Sequence, residues 1–125
     1  MSMPTVLIVE DDKWLAEQHE RVLNKAGYET VVALHALAAI EAIDDVHPDV
    51  IILDVLLIGN TAFALLHELQ SYSDTGNIPV VLCTNLASEL LIDDLKPYGV
   101  RQILDKTTMV PSDLVASVQS ILHED

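Results

Sequence analysis

Short apolar runs alternate along this chain with longer stretches that mix apolar and charged residues. Thr5 to Val9 (TVLIV) is an apolar run and predicts a first strand. Lys13 to Ala26 then places Leu15, Val22, Leu23 and Ala26 on one helical face, with Glu17, Glu20, Arg21 and Lys25 largely on the other. Asp12 can cap that helix, and Gly27 can end it in the left-handed conformation. Trp14 falls off the apolar stripe and is expected to be partly exposed. Tyr28 to Ala33 predicts a second strand with the weaker alternation of a sheet edge. Leu34 to Asp45 predicts an Ala-rich helix with Leu37, Ala38, Ile40 and Ala42 as candidates for its inward face.

The strongest signal is Pro48-Asp49-Val50-Ile51-Ile52-Leu53-Asp54-Val55-Leu56. A continuous apolar run of this kind reads as a strand covered on both faces, at the centre of a parallel sheet. A loop over Leu57 to Thr61 leads to a third helix carrying Phe63, Leu65, Leu66 and Leu69, with Asn60 or Thr61 as its cap. Ser71 to Asn77 is polar and reads as a loop. Ile78 to Thr84 predicts strand four, Ala87 to Lys96 helix four, Val100 to Leu104 strand five, and Pro111 opens helix five. Strand and helix thus alternate five times. That order predicts an α/β domain over 1–125 with three layers, a doubly wound five-stranded parallel sheet of strand order 2-1-3-4-5.

Composition narrows the function. The formal charge of −14 argues against direct nucleic-acid binding and against docking on anionic lipid. It suits a divalent cation or a partner with a basic face. No apolar stretch approaches the ~20 residues that span a bilayer, and the amino terminus has no basic leader, so the expected compartment is the cytoplasm. The single cysteine, Cys83, lies in an apolar run and reads as a small buried hydrophobe. The histidines at 19, 35, 47, 67 and 123 show no ligand spacing and are expected at the surface.

Chemistry gathers outside the carboxyl ends of strands in open α/β sheets. Here those ends carry Glu10 and Asp11, Asp54, Thr84, and Lys106. In the order 2-1-3-4-5 strands one and three are neighbours, about 4.8 Å apart. Three carboxylates would then face one crevice. Such a cluster either raises a pKa or holds a cation, and oxygen-only ligands suit Mg²⁺ or Mn²⁺. Asp54 is the candidate nucleophile toward a phosphoryl group, with Thr84 as hydroxyl donor and Lys106 as counter-charge.

The runs VLIVEDD, DVIILDVLL, IPVVLCT and GVRQILDK, in this order, resemble the response-regulator receiver domain of two-component signalling. The resemblance covers essentially the whole chain. It implies the flavodoxin-like receiver fold, with Asp54 as phosphoacceptor. Glu10 and Asp11 match the acidic metal pair, and the backbone carbonyl of Leu56 is implied as a further metal ligand. Thr84 and Lys106 match the switch hydroxyl and the phosphate-sensing lysine. The implied partners are a sensor histidine kinase or histidine phosphotransfer protein, and a downstream protein or effector domain. A dimer through helix four, strand five and helix five is also implied as a candidate. The chain departs from the pattern at Ile58, Ala62, Asn85, Ile103 and Thr107. With Thr107 where the family usually has Pro, a trans bond after Lys106 is expected, because a cis bond without Pro costs roughly 2.5–4 kcal/mol.

The first functional reading is therefore a phosphorelay switch rather than an enzyme. The alternative is a pseudo-receiver, the same fold used as a phosphorylation-independent interaction module, as Asn85, Ile103 and Thr107 suggest. An aspartate-nucleophile phosphatase would need an acid two residues after Asp54, where Leu56 stands. A flavodoxin-like cofactor site would place a phosphate against Glu10-Asp11-Asp12.

Overall fold

The computed structural model describes residues 3–55, 66–68, 77–85, 87 and 90–123. Five parallel strands form one sheet in the order β2-β1-β3-β4-β5. They are β1 (Thr5–Val9), β2 (Glu29–Ala33), β3 (Val50–Val55), β4 (Val80–Thr84) and β5 (Val100–Asp105). The helices are α1 (Lys13–Lys25), α2 (Ala36–Val46), α3 (described over 66–68), α4 (Ile92–Leu95) and α5 (Pro111–Leu122). The doubly wound arrangement expected from the alternating runs is thus observed. The edge position of β2 agrees with its weaker pattern.

Each strand's alternation sorts side chains into two cores. Val6 and Ile8, Val50 and Ile52, and Val81 and Cys83 pack with Ala16 and Leu23 of α1 and Leu114 and Val118 of α5. Leu7 and Val9, Ile51 and Leu53, and Val80 and Leu82 pack with Ala39 and Ile43 of α2, Leu66 of α3 and Leu95 of α4. The central strand is covered on both faces, so Val50, Ile51 and Ile52 are fully buried. Complete burial of one such side chain contributes about 1.5–3 kcal/mol. Cys83 is part of this core, and burial pushes its thiol pKa up.

Local chemistry sets the helix ends. The Asp12 carboxylate accepts from the backbone N–H of Trp14 and Leu15 at 3.0 and 3.2 Å, capping α1. Gly27 takes φ 101° just beyond Ala26, a conformation that favours glycine. Pro111 opens α5, and the Asp113 carboxylate accepts from Val110 N–H at 2.9 Å.

Three expectations are corrected: Leu37, expected inward on α2, is 63 % exposed, and Ala39 and Ile43 form that helix's buried face. The fourth helix does not run from Ala87 to Lys96. Leu91 is extended (φ −108°, ψ 124°), and the helix begins only at Ile92, followed by a 3₁₀ turn over Lys96–Tyr98. Asp93 and Asp94 then lie in the first turn, where negative charge is favoured by the helix dipole, instead of in mid-helix. The buried face of α1 is also rotated. It consists of Ala16, His19 and Leu23, whereas Leu15 and Val22 are half-buried and Ala26 is exposed. The expected third-helix residues Asn60, Thr61, Phe63, Leu65 and Leu69, the loop over 57–61 and most of that over 71–77 lie outside the described residues. No helix among the described residues is long and apolar enough to cross a membrane.

Candidate functional site

The alternation that builds the core also aims the site. Glu10 continues the parity of Val6 and Ile8, Asp54 that of Val50 and Ile52, and Lys106 that of Leu104. All three therefore emerge on the α1–α5 side of the sheet, beyond the apolar core. Glu10 remains tied to the sheet, donating its N–H to Ala33 O at 3.0 Å. Lys106 N–H donates to Thr84 O at 3.0 Å, which carries the β5 rim past β4. Asp54 is the penultimate residue of β3, in register with Cys83, and Val55 is in register with Thr84.

Asp54 is 6 % exposed and Glu10 only 1 %. Lys106 Nζ lies 2.5 Å from Asp54 Oδ1 and 3.4 Å from Glu10 Oε1. The short contact to Oδ1 is an ion pair off hydrogen-bonding alignment, and Oδ1 accepts no hydrogen bond. Glu10 Oε2 accepts from Asp12 N–H at 3.0 Å. The ammonium group thus stands between two buried carboxylates and neutralises part of their charge.

Burial pushes the Glu10 carboxyl up to about 8, helped by the neighbouring Asp54 and Asp11 and opposed by the Asp12 N–H. Burial would raise Asp54 as well. The hydrogen bond with His19, then the close Glu10 carboxyl and Lys106 ammonium, outweigh it and hold Asp54 below the usual carboxylate range. One proton therefore resides on Glu10 while Asp54 stays ionised, the state a nucleophile needs. Lys106 is held above the ordinary lysine value: burial opposes this, and Asp54 and Glu10 overcome it.

The predicted residues largely converge. Glu10, Asp54 and Lys106 are in contact, and Asp11 is close enough to act on Glu10 although its side chain is exposed. Thr84 is buried at the end of β4, between Val55 of β3 and Asp105 of β5. Leu56 lies outside the described residues. Among the described residues, no three His, Cys, Asp or Glu side chains are gathered as a ready metal cage. The donor chemistry nevertheless fits a hard dication: the acids supply only oxygens, and Asp54 Oδ1 is buried without a hydrogen bond. Lys106 now fills that cationic role. The peptide bond after Lys106 is trans, as expected from Thr107. Thr107 turns back instead, donating N–H and Oγ1–H to Asp105 Oδ1 at 2.9 and 2.6 Å. Ile103 packs against the α2 side of the core.

His19 corrects the expectation that every histidine lies at the surface. It is 8 % exposed, and its Nε2 lies 3.0 Å from Asp54 Oδ2. An ionised carboxylate can only accept, so Nε2 carries the hydrogen. The other four histidines are exposed. A signal was available: Ala16, His19 and Leu23 share the i, i+3, i+7 spacing of a buried stripe. A groove of about 340 Å³ opens beside this pair, lined in part by Trp14, Val22, Met109 and Leu114. Trp14 is 66 % exposed, as its place off the apolar stripe implied.

Comparison with known proteins agrees with the fold. The family model for the response regulator receiver domain matches residues 6–119. The sensory transduction protein RegX3 of Mycobacterium tuberculosis is 31 % identical over 118 residues, covering 86 % of this chain and 51 % of RegX3. The chain spans about half the length of the curated relatives it matches. Among solved structures, a putative response regulator from Chloroflexus aurantiacus aligns with TM-score 0.83 and 32 % identity, covering 98 % of this chain and 100 % of that one. The response regulator TrrA of Thermotoga maritima, in complex with Mg²⁺-BeF, has TM-score 0.78 at 20 % identity, with coverage of 95 % and 99 %, and shares the fold. A parallel sheet with acidic, hydroxyl and lysine side chains on its carboxyl rim defines a receiver-type α/β domain. This chain belongs to the response regulator receiver domain family of two-component systems.

Proposed function

We propose that Asp54 accepts a phosphoryl group from a sensor histidine kinase or a histidine phosphotransfer protein. The observation that carries this reading is the Asp54 carboxylate itself, buried on the central strand yet held ionised, with the Lys106 ammonium at Oδ1. In the transfer, the bond from phosphorus to the donor's imidazole nitrogen breaks as a bond from phosphorus to an Asp54 oxygen forms. Such a displacement needs mainly positioning and charge stabilisation. Lys106 follows the charge from the carboxylate to the phosphoryl oxygens, and Thr84 offers a hydroxyl from the adjoining rim.

Glu10, Asp11 and Asp54 would hold Mg²⁺ or Mn²⁺, with the Leu56 carbonyl as a further ligand. When bound, the cation supplies charge neutralisation for the incoming phosphoryl group. The Mg²⁺-BeF complex of TrrA supports this assignment. The domain acts as a phosphoacceptor and not as an enzyme with a separate substrate. The groove beside α1 suits the donor's helix. The face formed by α4, β5 and α5 suits a downstream protein, an effector domain or a second copy. The cytoplasm is the compartment in which such donors work.

A second reading is a pseudo-receiver that binds its partner without phosphorylation. It draws on the occupation of both Asp54 oxygens, by Lys106 and His19. Incubation with Mg²⁺ and phosphoramidate, followed by intact-mass analysis and peptide mapping, separates the two. The phosphorelay reading predicts one base-labile phosphoryl group on Asp54, absent from Asp54→Asn and from samples with excess chelator. Measurable Mg²⁺ binding with no adduct on Asp54 would instead select the pseudo-receiver.

A further inference from the structure

Of the three buried positions on α1, two are apolar, and the third carries the His19 imidazole. A polar ring in a helix–sheet seam is costly unless it is hydrogen-bonded. Its bond goes to the reacting carboxylate. Asp54 has two oxygens, and each is engaged: Oδ1 by the Lys106 ammonium at 2.5 Å, Oδ2 by His19 Nε2 at 3.0 Å.

The two contacts differ in their bearing on phosphoryl transfer. Lys106 is a mobile point charge that remains useful when negative charge moves from carboxylate to phosphoryl oxygens. His19 sits on a helix, and its ring fills space directly against Oδ2. A carboxylate that must present one oxygen to phosphorus and the other to a cation has none to spare for the ring. The imidazole has room to leave, because it borders the groove shared with Trp14, Val22, Met109 and Leu114.

We propose that His19 is a positioning residue that latches the resting Asp54: its Nε2–H holds Oδ2 toward α1, and the ring must swing into the α1–α5 groove before that oxygen is free. The proposal rests on the reading of Asp54 as the reacting carboxylate. Only the unlatched fraction of molecules then offers both oxygens, so cation affinity and phosphorylation rate are both reduced by that fraction. A hydrogen bond to a charged group is strong enough for the reduction to be roughly tenfold.

The test compares wild type, His19→Leu and His19→Gln. Mg²⁺ affinity is measured by calorimetry without any phosphodonor, and adduct formation from phosphoramidate by intact mass. His19→Leu puts an apolar residue on an apolar face; His19→Met, unbranched and a good helix former, provides the same readings should the Leu variant not fold. Loss of the N–H is expected to tighten Mg²⁺ binding and accelerate adduct formation, each by roughly tenfold. His19→Gln, which restores a side-chain N–H at similar reach, is expected to bring both back toward wild type. The latch is overturned if removing the N–H leaves Mg²⁺ affinity unchanged or weaker, or if the Gln variant behaves like the Leu variant. Failure of the phosphoacceptor reading looks different: Mg²⁺ affinity rises on loss of the N–H, yet no variant gains a phosphoryl group. In that case the latch on the carboxylate stands.

Discussion

Glu10 and Asp54 divide a proton unequally, and the imbalance has a measurable sign. Glu10 titrates near 4.5 when exposed and near 8 in the folded protein. Between those values the folded state binds more protons than the unfolded state, so stability falls as pH rises through the window and levels off above it. For metal-free protein we expect the unfolding free energy from urea titrations to decline across that range by an amount on the order of a few kcal/mol. Glu10→Gln should flatten the decline. An equally steep profile in that variant would assign the effect to another group. Glu10 was legible from the sequence because an acid directly follows an apolar strand. His19 was missed because the stripe it shares with Ala16 and Leu23 competes with a second apolar stripe on the same helix. Its meaning appears only when the helix phase is known, and Leu15, Val22 and Ala26 suggested the wrong phase.

At the level of elements, the strands were legible, most of all β1, β3 and β4, which are dense apolar runs. Their boundaries shifted little: β3 and β5 each extend one residue beyond the predicted end, to Val55 and Asp105. Helices with explicit caps were also legible, and α1 shows why. Asp12 satisfies two backbone donors that would otherwise be unpaired at the helix start. Asp12→Ala should cost about 1 kcal/mol in urea denaturation. Because α1 carries His19, the same variant should also disturb the Asp54 contact, seen as a shift of the His19 ring resonances in NMR spectra. A stability loss with unmoved ring signals would mean that the first turn and the site are independent. The α4 region was illegible for a related reason. Its Leu90-Leu91-Ile92 run suits a helix by propensity, but the paired acids at 93 and 94 are best placed in a first turn.

On the scale of the whole molecule, the net charge of −14 sits on a small domain whose site already contains buried acids. Long-range attraction to a basic partner face should dominate the encounter and weaken with salt. Phosphotransfer from a protein donor should therefore slow markedly between low and high ionic strength, while phosphorylation by a small-molecule donor changes much less. Equal salt sensitivity for both would place the effect inside the site. The strand order 2-1-3-4-5, expected as one of the two common doubly wound orders, is what brings β1 and β3 together and makes the acidic rim. The placement of Glu10, Asp54 and Lys106 on one side of the sheet has its own corollary. Their facing is inherited from a two-residue repeat, so inserting a single alanine between Ile52 and Leu53 would send Asp54 toward α2 while leaving most of the chain's composition intact. On the proposed phosphoacceptor reading, loss of adduct formation in such a variant would thus report strand phasing.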